Sequence, residues 1–135
     1  MALVLDASVV LKWLLNEDGA DRARALIGSD SLIAPDFLLL ECANVLGVKE
    51  RRGLLPAEVA PDALRGLRDG PIRLQPSAPL ALDALALSLS LGHSAYDCLY
   101  LALALAEQAT VVTADQRFAR AAEARYPGMV RLLGA

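Results

Sequence analysis

The chain has 135 residues, 56% of them apolar, with 13 Lys and Arg against 16 Asp and Glu. That length allows a single domain, residues 1–135, around one core, and the nearly balanced charge neither demands nor excludes a nucleic-acid partner. Two cysteines without CxxC spacing rule out a disulfide scaffold, so Cys42 and Cys98 read as buried free thiols.

In chain order, residues 2–5 read as a strand and residues 8–15 as a helix. Residues 20–27 are helical and Leu32-Ile33 is a short strand. Pro35-Asp36 opens a long helix that ends at Gly53, and Pro56 introduces another over residues 57–67. Residues 72–74 form a weak strand. Two helices follow, residues 80–91 and 95–106, separated by Gly92. Residues 110–113 are a β-branched strand, 116–125 a helix and 129–132 a last strand. This alternation predicts an α/β/α sandwich with a mostly parallel central sheet. The richest apolar stretch, residues 79–106, is interrupted by Asp83, His93 and Asp97 and falls short of the ~20 residues of a membrane span. The N-terminus lacks a basic leader region, and Asp6 and Lys12 break its apolar part, so a cytoplasmic protein is expected.

Four carboxylates adjoin apolar runs: Asp6, Glu41, Asp97 and Asp115. A buried carboxylate must protonate, meet a cation or be well hydrogen-bonded. Asp6 and Asp115 each follow a predicted strand, and Glu41 and Asp97 lie near the starts of helices. In an open parallel sheet those positions fall at one edge, beyond the strand carboxyl ends. Each acid also has a plainer reading. Asp6 and Asp115 could cap helices, Ser94 and Asp97 could form a capping box, and Glu41 could reach solvent from the edge of an apolar stripe. Together they suggest an all-oxygen site for Mg²⁺ or Mn²⁺. Ser8 and Thr113 could add hydroxyls beside it, and Asn44 could orient Glu41 or touch substrate.

The single histidine, His93, reads as a surface or loop residue, which leaves zinc without ligands. Tyr96 and Trp13 read as packing residues, because aromatics are too scarce for a base-stacking platform. Lys49, Arg51 and Arg52, then Arg65, Arg68 and Arg73, form two basic clusters that read as solvated charge or as contacts for a polyanion. The apolar excess predicts a covering chain over the helices that carry Trp13, Leu54-Leu55 and Leu64 to Leu67.

The set Asp6-x-Ser8, Glu41-x-x-Asn44, Ser94-Ala95-Tyr96-Asp97 and Thr113-Ala114-Asp115 resembles the PIN domain, closest to the VapC toxins of toxin–antitoxin pairs. The flanking Val9-Val10, Lys12-Trp13 and Cys98-Leu99-Tyr100-Leu101-Ala102 share the likeness. The resemblance implies a metal-dependent endoribonuclease with Asp6, Glu41, Asp97 and Asp115 as its catalytic, metal-holding quartet. It also implies an RNA substrate, a homodimer and inhibition by a small antitoxin. The rivals are a receiver-type phosphorylation switch, a DxD phosphatase and a catalytically silent PIN-like module. The switch needs an early acidic pair and a late lysine, yet the last lysine is Lys49. The phosphatase motif is broken by Ser8.

Overall fold

The computed structural model describes residues 2–28 and 31–134. Strand β1 (Ala2–Leu5) leads into α1 (Ala7–Leu15) and the short α2 (Ala20–Arg24). Then come β2 (Ser31–Pro35), α3 (Phe37–Arg51), α4 (Val59–Arg68) and β3 (Arg73–Gln75). A 3₁₀ turn (Ala78–Leu80) precedes α5 (Ala81–Leu91) and α6 (Ala95–Glu107). The chain closes with β4 (Thr110–Thr113), α7 (Gln116–Arg125) and β5 (Val130–Leu132).

The five strands form one sheet in the order β3-β2-β1-β4-β5, and every pair is parallel. Leu3, Val4 and Leu5 are all buried, so the central strand is covered on both faces, as a parallel sheet requires. Helix α6 packs against β1, β2 and β4, and its residues Cys98 to Ala104 are buried without a break. A helix apolar all round belongs inside the fold, which accounts for much of the hydrophobic excess. Among the described residues, no helix is long and apolar enough to cross a membrane.

Two boundaries differ from the sequence expectation. Helix α4 starts at Val59 because Glu58 adopts a left-handed conformation, φ 73°, that no helix can incorporate. Helix α2 stops at Arg24, and residues 25–27 continue as a turn and an isolated bridge. Strand order matters more for function. The chain runs outward through β1, β2 and β3, then returns to place β4 on the other side of β1. The carboxyl ends of β1 and β4 therefore flank the point where the winding reverses, where open α/β sheets bind ligands. The order also differs from the 2-1-3-4-5 winding of receiver-type folds, which removes that rival.

Candidate active site

Asp6 ends β1 and caps α1. Its Oδ1 accepts from the Val9 amide at 3.2 Å and from Ser8 Oγ at 2.6 Å, and its Oδ2 accepts from Thr113 Oγ1 at 2.5 Å. The two hydroxyls are themselves held by the loop after β4. Ala114 N donates to Ser8 Oγ at 2.9 Å, and Asp115 N donates to Thr113 Oγ1 at 3.1 Å. Two backbone amides are thus relayed through two hydroxyls onto one carboxylate, fixing its orientation across the β1–β4 seam. Asp6 is only 7% exposed. Burial pushes its carboxyl up to about 6, against the pull of the Ser8, Thr113 and Val9 hydrogen bonds and with a further push from Asp97.

Glu41 lies one turn into α3. Its Oε1 accepts from the buried Tyr100 hydroxyl at 2.7 Å. Its carboxyl is raised, chiefly by burial; Tyr100 opposes this, and the charges of Asp6 and Asp97 reinforce it. The orienting bond therefore comes from Tyr100, while Asn44 is exposed. Burial and the bonded Glu41 in turn drive the Tyr100 hydroxyl far upward, so it stays a donor.

Asp97 sits in the first turn of α6, where Ser94 is the predicted cap: Asp97 N donates to Ser94 Oγ at 3.1 Å. Its carboxyl is raised by burial and by the Asp115 charge, offset in part by Ser94 and His93. His93 lies in the loop between α5 and α6, as one half of the expectation had it, but not at the surface. Its side chain is only 10% exposed, its Nδ1 lies 3.9 Å from Asp97 Oδ2, and its ring meets Phe118 edge-on at 5.5 Å. Gly92, at φ 67°, ends α5 and lets the chain turn inward here. Asp115 is exposed rather than buried. Its Oδ1 caps α7 through the Arg117 and Phe118 amides at 3.0 and 3.1 Å.

Like charge links the acids pairwise. Asp6 feels Asp97, Glu41 feels both, and Asp97 feels Asp115, all as like charges that favour protonation. Among the described residues, no three His, Cys, Asp or Glu side chains are drawn tightly enough to grip an ion as they stand. The donor chemistry fits a hard divalent ion: acidic oxygens supported by hydroxyls at one sheet edge. Cys42 and Cys98 are buried, with thiols pushed up to about 12 and about 11 by burial and neighbouring acids, so they offer no thiolate to a softer metal.

Tyr96 packs, as expected, but at the surface. It is 62% exposed, and its ring stacks on Phe37 with centroids 5.2 Å apart and planes 9° from parallel. Of the basic residues, Arg65 pairs with Asp62 at 2.7 Å and Arg68 binds Asp69 through two nitrogens. Those two are engaged locally, whereas Arg51, Arg52 and Arg73 are exposed.

The sequence model of the PIN domain family matches residues 3–124. The chain belongs to the PIN domain family. This PIN domain is 32% identical over 133 residues to Ribonuclease VapC3 of Pyrobaculum aerophilum, covering 96% of this chain and 98% of that protein. It is 35% identical over 125 residues to VapC ribonuclease Mb0985 of Mycobacterium bovis, covering 93% and 94%. Among solved structures it superposes on PAE2754 of Pyrobaculum aerophilum with a TM-score of 0.71 at 20% identity, covering 96% and 92% of the two chains. It also superposes on a chain of VapBC2 from Rickettsia felis, solved bound to a DNA fragment from their promoter, with a TM-score of 0.69 at 15% identity and 98% coverage of both. These structural matches support the α/β/α PIN fold.

Proposed function

We propose that this PIN domain is the endoribonuclease of a toxin–antitoxin pair and hydrolyses RNA phosphodiester bonds at a divalent-metal centre held by Asp6, Glu41, Asp97 and Asp115. The observation that carries the reading is the buried Asp6 carboxylate, held by Ser8 and Thr113 across the β1–β4 seam with Glu41 and Asp97 near enough to feel its charge or lend it theirs. Mg²⁺, or Mn²⁺, bound there supplies Lewis acidity toward the phosphate and makes water acidic enough to attack near neutral pH. The protein's own part is positional. Ser8 and Thr113 hold Asp6, Tyr100 holds Glu41, and the Ser94 cap fixes the turn that presents Asp97. Asn44 stands exposed one turn beyond Glu41, where its amide can meet substrate.

The relatives' names include ribonucleases, and the family resemblance supplies the toxin role, the cytoplasmic setting and a small antitoxin partner. A homodimer belongs to the same reading, and of the surface expected for it Leu54 is open to solvent, 63% exposed, whereas the Leu64 to Leu67 part is not. Leu67 is fully buried and Leu64 lies against the core. A longer apolar stripe open to solvent runs along α5, where Leu82 is 82%, Leu85 49% and Leu89 77% exposed at helical spacing.

Cleavage of RNA by the purified chain tests the proposal. Mg²⁺ should support cleavage, EDTA should stop it, and Asp97→Asn should abolish it while the circular dichroism spectrum stays native. Cleavage that survives both EDTA and Asp97→Asn would overturn the metal-centre reading.

A further inference from the structure

Helices α3 and α6 touch beside the site in two rungs, each rung one residue from either helix. The inner rung is the Glu41–Tyr100 hydrogen bond at 2.7 Å, and the outer rung is the Phe37–Tyr96 ring stack. The rungs are four residues apart on both helices, a separation of roughly 6 Å along the axis. The outer rung therefore stands one turn from a quartet carboxylate, and Tyr96 adjoins Asp97 in sequence.

The outer rung is well anchored yet open. Asp36 Oδ1 accepts from Ser77 N at 3.1 Å and from Ser77 Oγ at 2.7 Å, and Ser77 Oγ accepts from Phe37 N at 3.0 Å. The Ser94 cap fixes the other partner. Phe37 keeps the Tyr96 ring flat, and Tyr96 remains 62% exposed. A large ring held rigid and left in water beside a reaction centre is a surface prepared for a planar ligand.

Given the ribonuclease reading on which this rests, we propose that Tyr96, backed by Phe37, is a stacking subsite for an unpaired nucleobase next to the scissile phosphate. Such a subsite selects single-stranded or looped RNA, because a base inside a duplex has both faces covered by its neighbours. A flat ring pair beside acids suits a nucleobase better than an apolar protein side chain, which seeks a groove. Tyr96 is then a specificity residue that touches substrate, and the metal-holding acids act independently of it.

The test compares wild type with Tyr96→Leu and Tyr96→Trp on a short mixed-sequence RNA, single-stranded or annealed to its complement, with Mg²⁺. Wild type should favour the single strand. Tyr96→Leu should raise KM by roughly 5- to 100-fold, as loss of one stacked base predicts, with kcat largely retained. Tyr96→Trp should restore KM, and Mn²⁺ affinity measured by titration should match wild type in both. Fluorescein-labelled single-stranded RNA, read by anisotropy in an Asp6→Asn background, gives the same comparison without turnover. Failure of wild type to cut either RNA would count against the ribonuclease reading alone. Equal RNA affinity and KM for wild type and Tyr96→Leu would overturn the subsite. Equal values accompanied by lost binding of a protein partner would overturn it too, and would give the rings to that partner.

Discussion

Replacing Asp6 by asparagine should stabilise the metal-free protein at neutral pH. Burial lifts the Asp6 carboxyl from 3.8 to about 6, and each unit corresponds to ~1.36 kcal/mol. The ionised group therefore costs the fold about 3 kcal/mol at pH 7. Because the folded state holds the proton more tightly, this cost is absent below about pH 4 and grows as pH rises through 3.8 toward 6. It is complete above that range. An asparagine keeps the Val9 cap, but one hydroxyl loses its acceptor, a penalty of about 1 kcal/mol. The net gain of about 2 kcal/mol corresponds to a Tm rise of roughly 5–10 °C for a domain of this size. Glu41 and Asp97 are raised in the same direction, and because the Asp6 charge is one cause of the Glu41 shift, the wild-type-minus-variant difference reads Asp6 together with its coupling to those acids. Thermal melts in EDTA across the acid-to-neutral range measure it. Adding Mn²⁺ should reverse the order, because only wild type gains binding energy from the full ligand set. A variant less stable than wild type in EDTA at neutral pH, or a pH-independent difference, would refute the reasoning.

Tyr100→Phe removes the donor that orients Glu41 and should leave the fold intact. Mn²⁺ affinity should fall roughly 10-fold or more, as for other residues that orient metal ligands, and calorimetric titration reads it. An unchanged affinity would mean that the bond does not position Glu41. Light scattering at micromolar concentration should show a dimer for wild type and a monomer for Leu85→Arg, which places a charge in the middle of the α5 stripe. A monomeric wild type would defeat the dimer.

The strands and the sheet edge were legible because short apolar runs end in Asp6 and Asp115 at the expected places. The Ser94 cap was legible from its spacing, and hydroxyls of Ser8 and Thr113 were expected near the site, but their bonds to Asp6 emerge only where β1 and β4 meet. What the sequence hid depends on which helices meet. Tyr100 lies within an apolar run and reads as core; only the packing of α6 against the start of α3 shows its hydroxyl on Glu41. The same packing pairs Tyr96 with Phe37, and no periodicity foretells it. His93 turns inward through the Gly92 bend, a tertiary consequence of a local signal. In α5 leucines occur on every side, so pattern alone could not separate buried Leu87 from exposed Leu82, Leu85 and Leu89. Asp115 abuts a buried strand but stands in solvent, where its Oδ1 caps α7 through the Arg117 and Phe118 amides.

Anomalous diffraction from crystals soaked in Mn²⁺ tests the central claim most directly. The account predicts a peak at the carboxyl ends of β1 and β4, with oxygens of Asp6, Glu41, Asp97 and Asp115 gathered around it. Direct ligand distances should be ~2.0–2.2 Å, as hard divalent ions require. Saturating Mn²⁺ that leaves this position empty, or binds at another edge of the sheet, would contradict it.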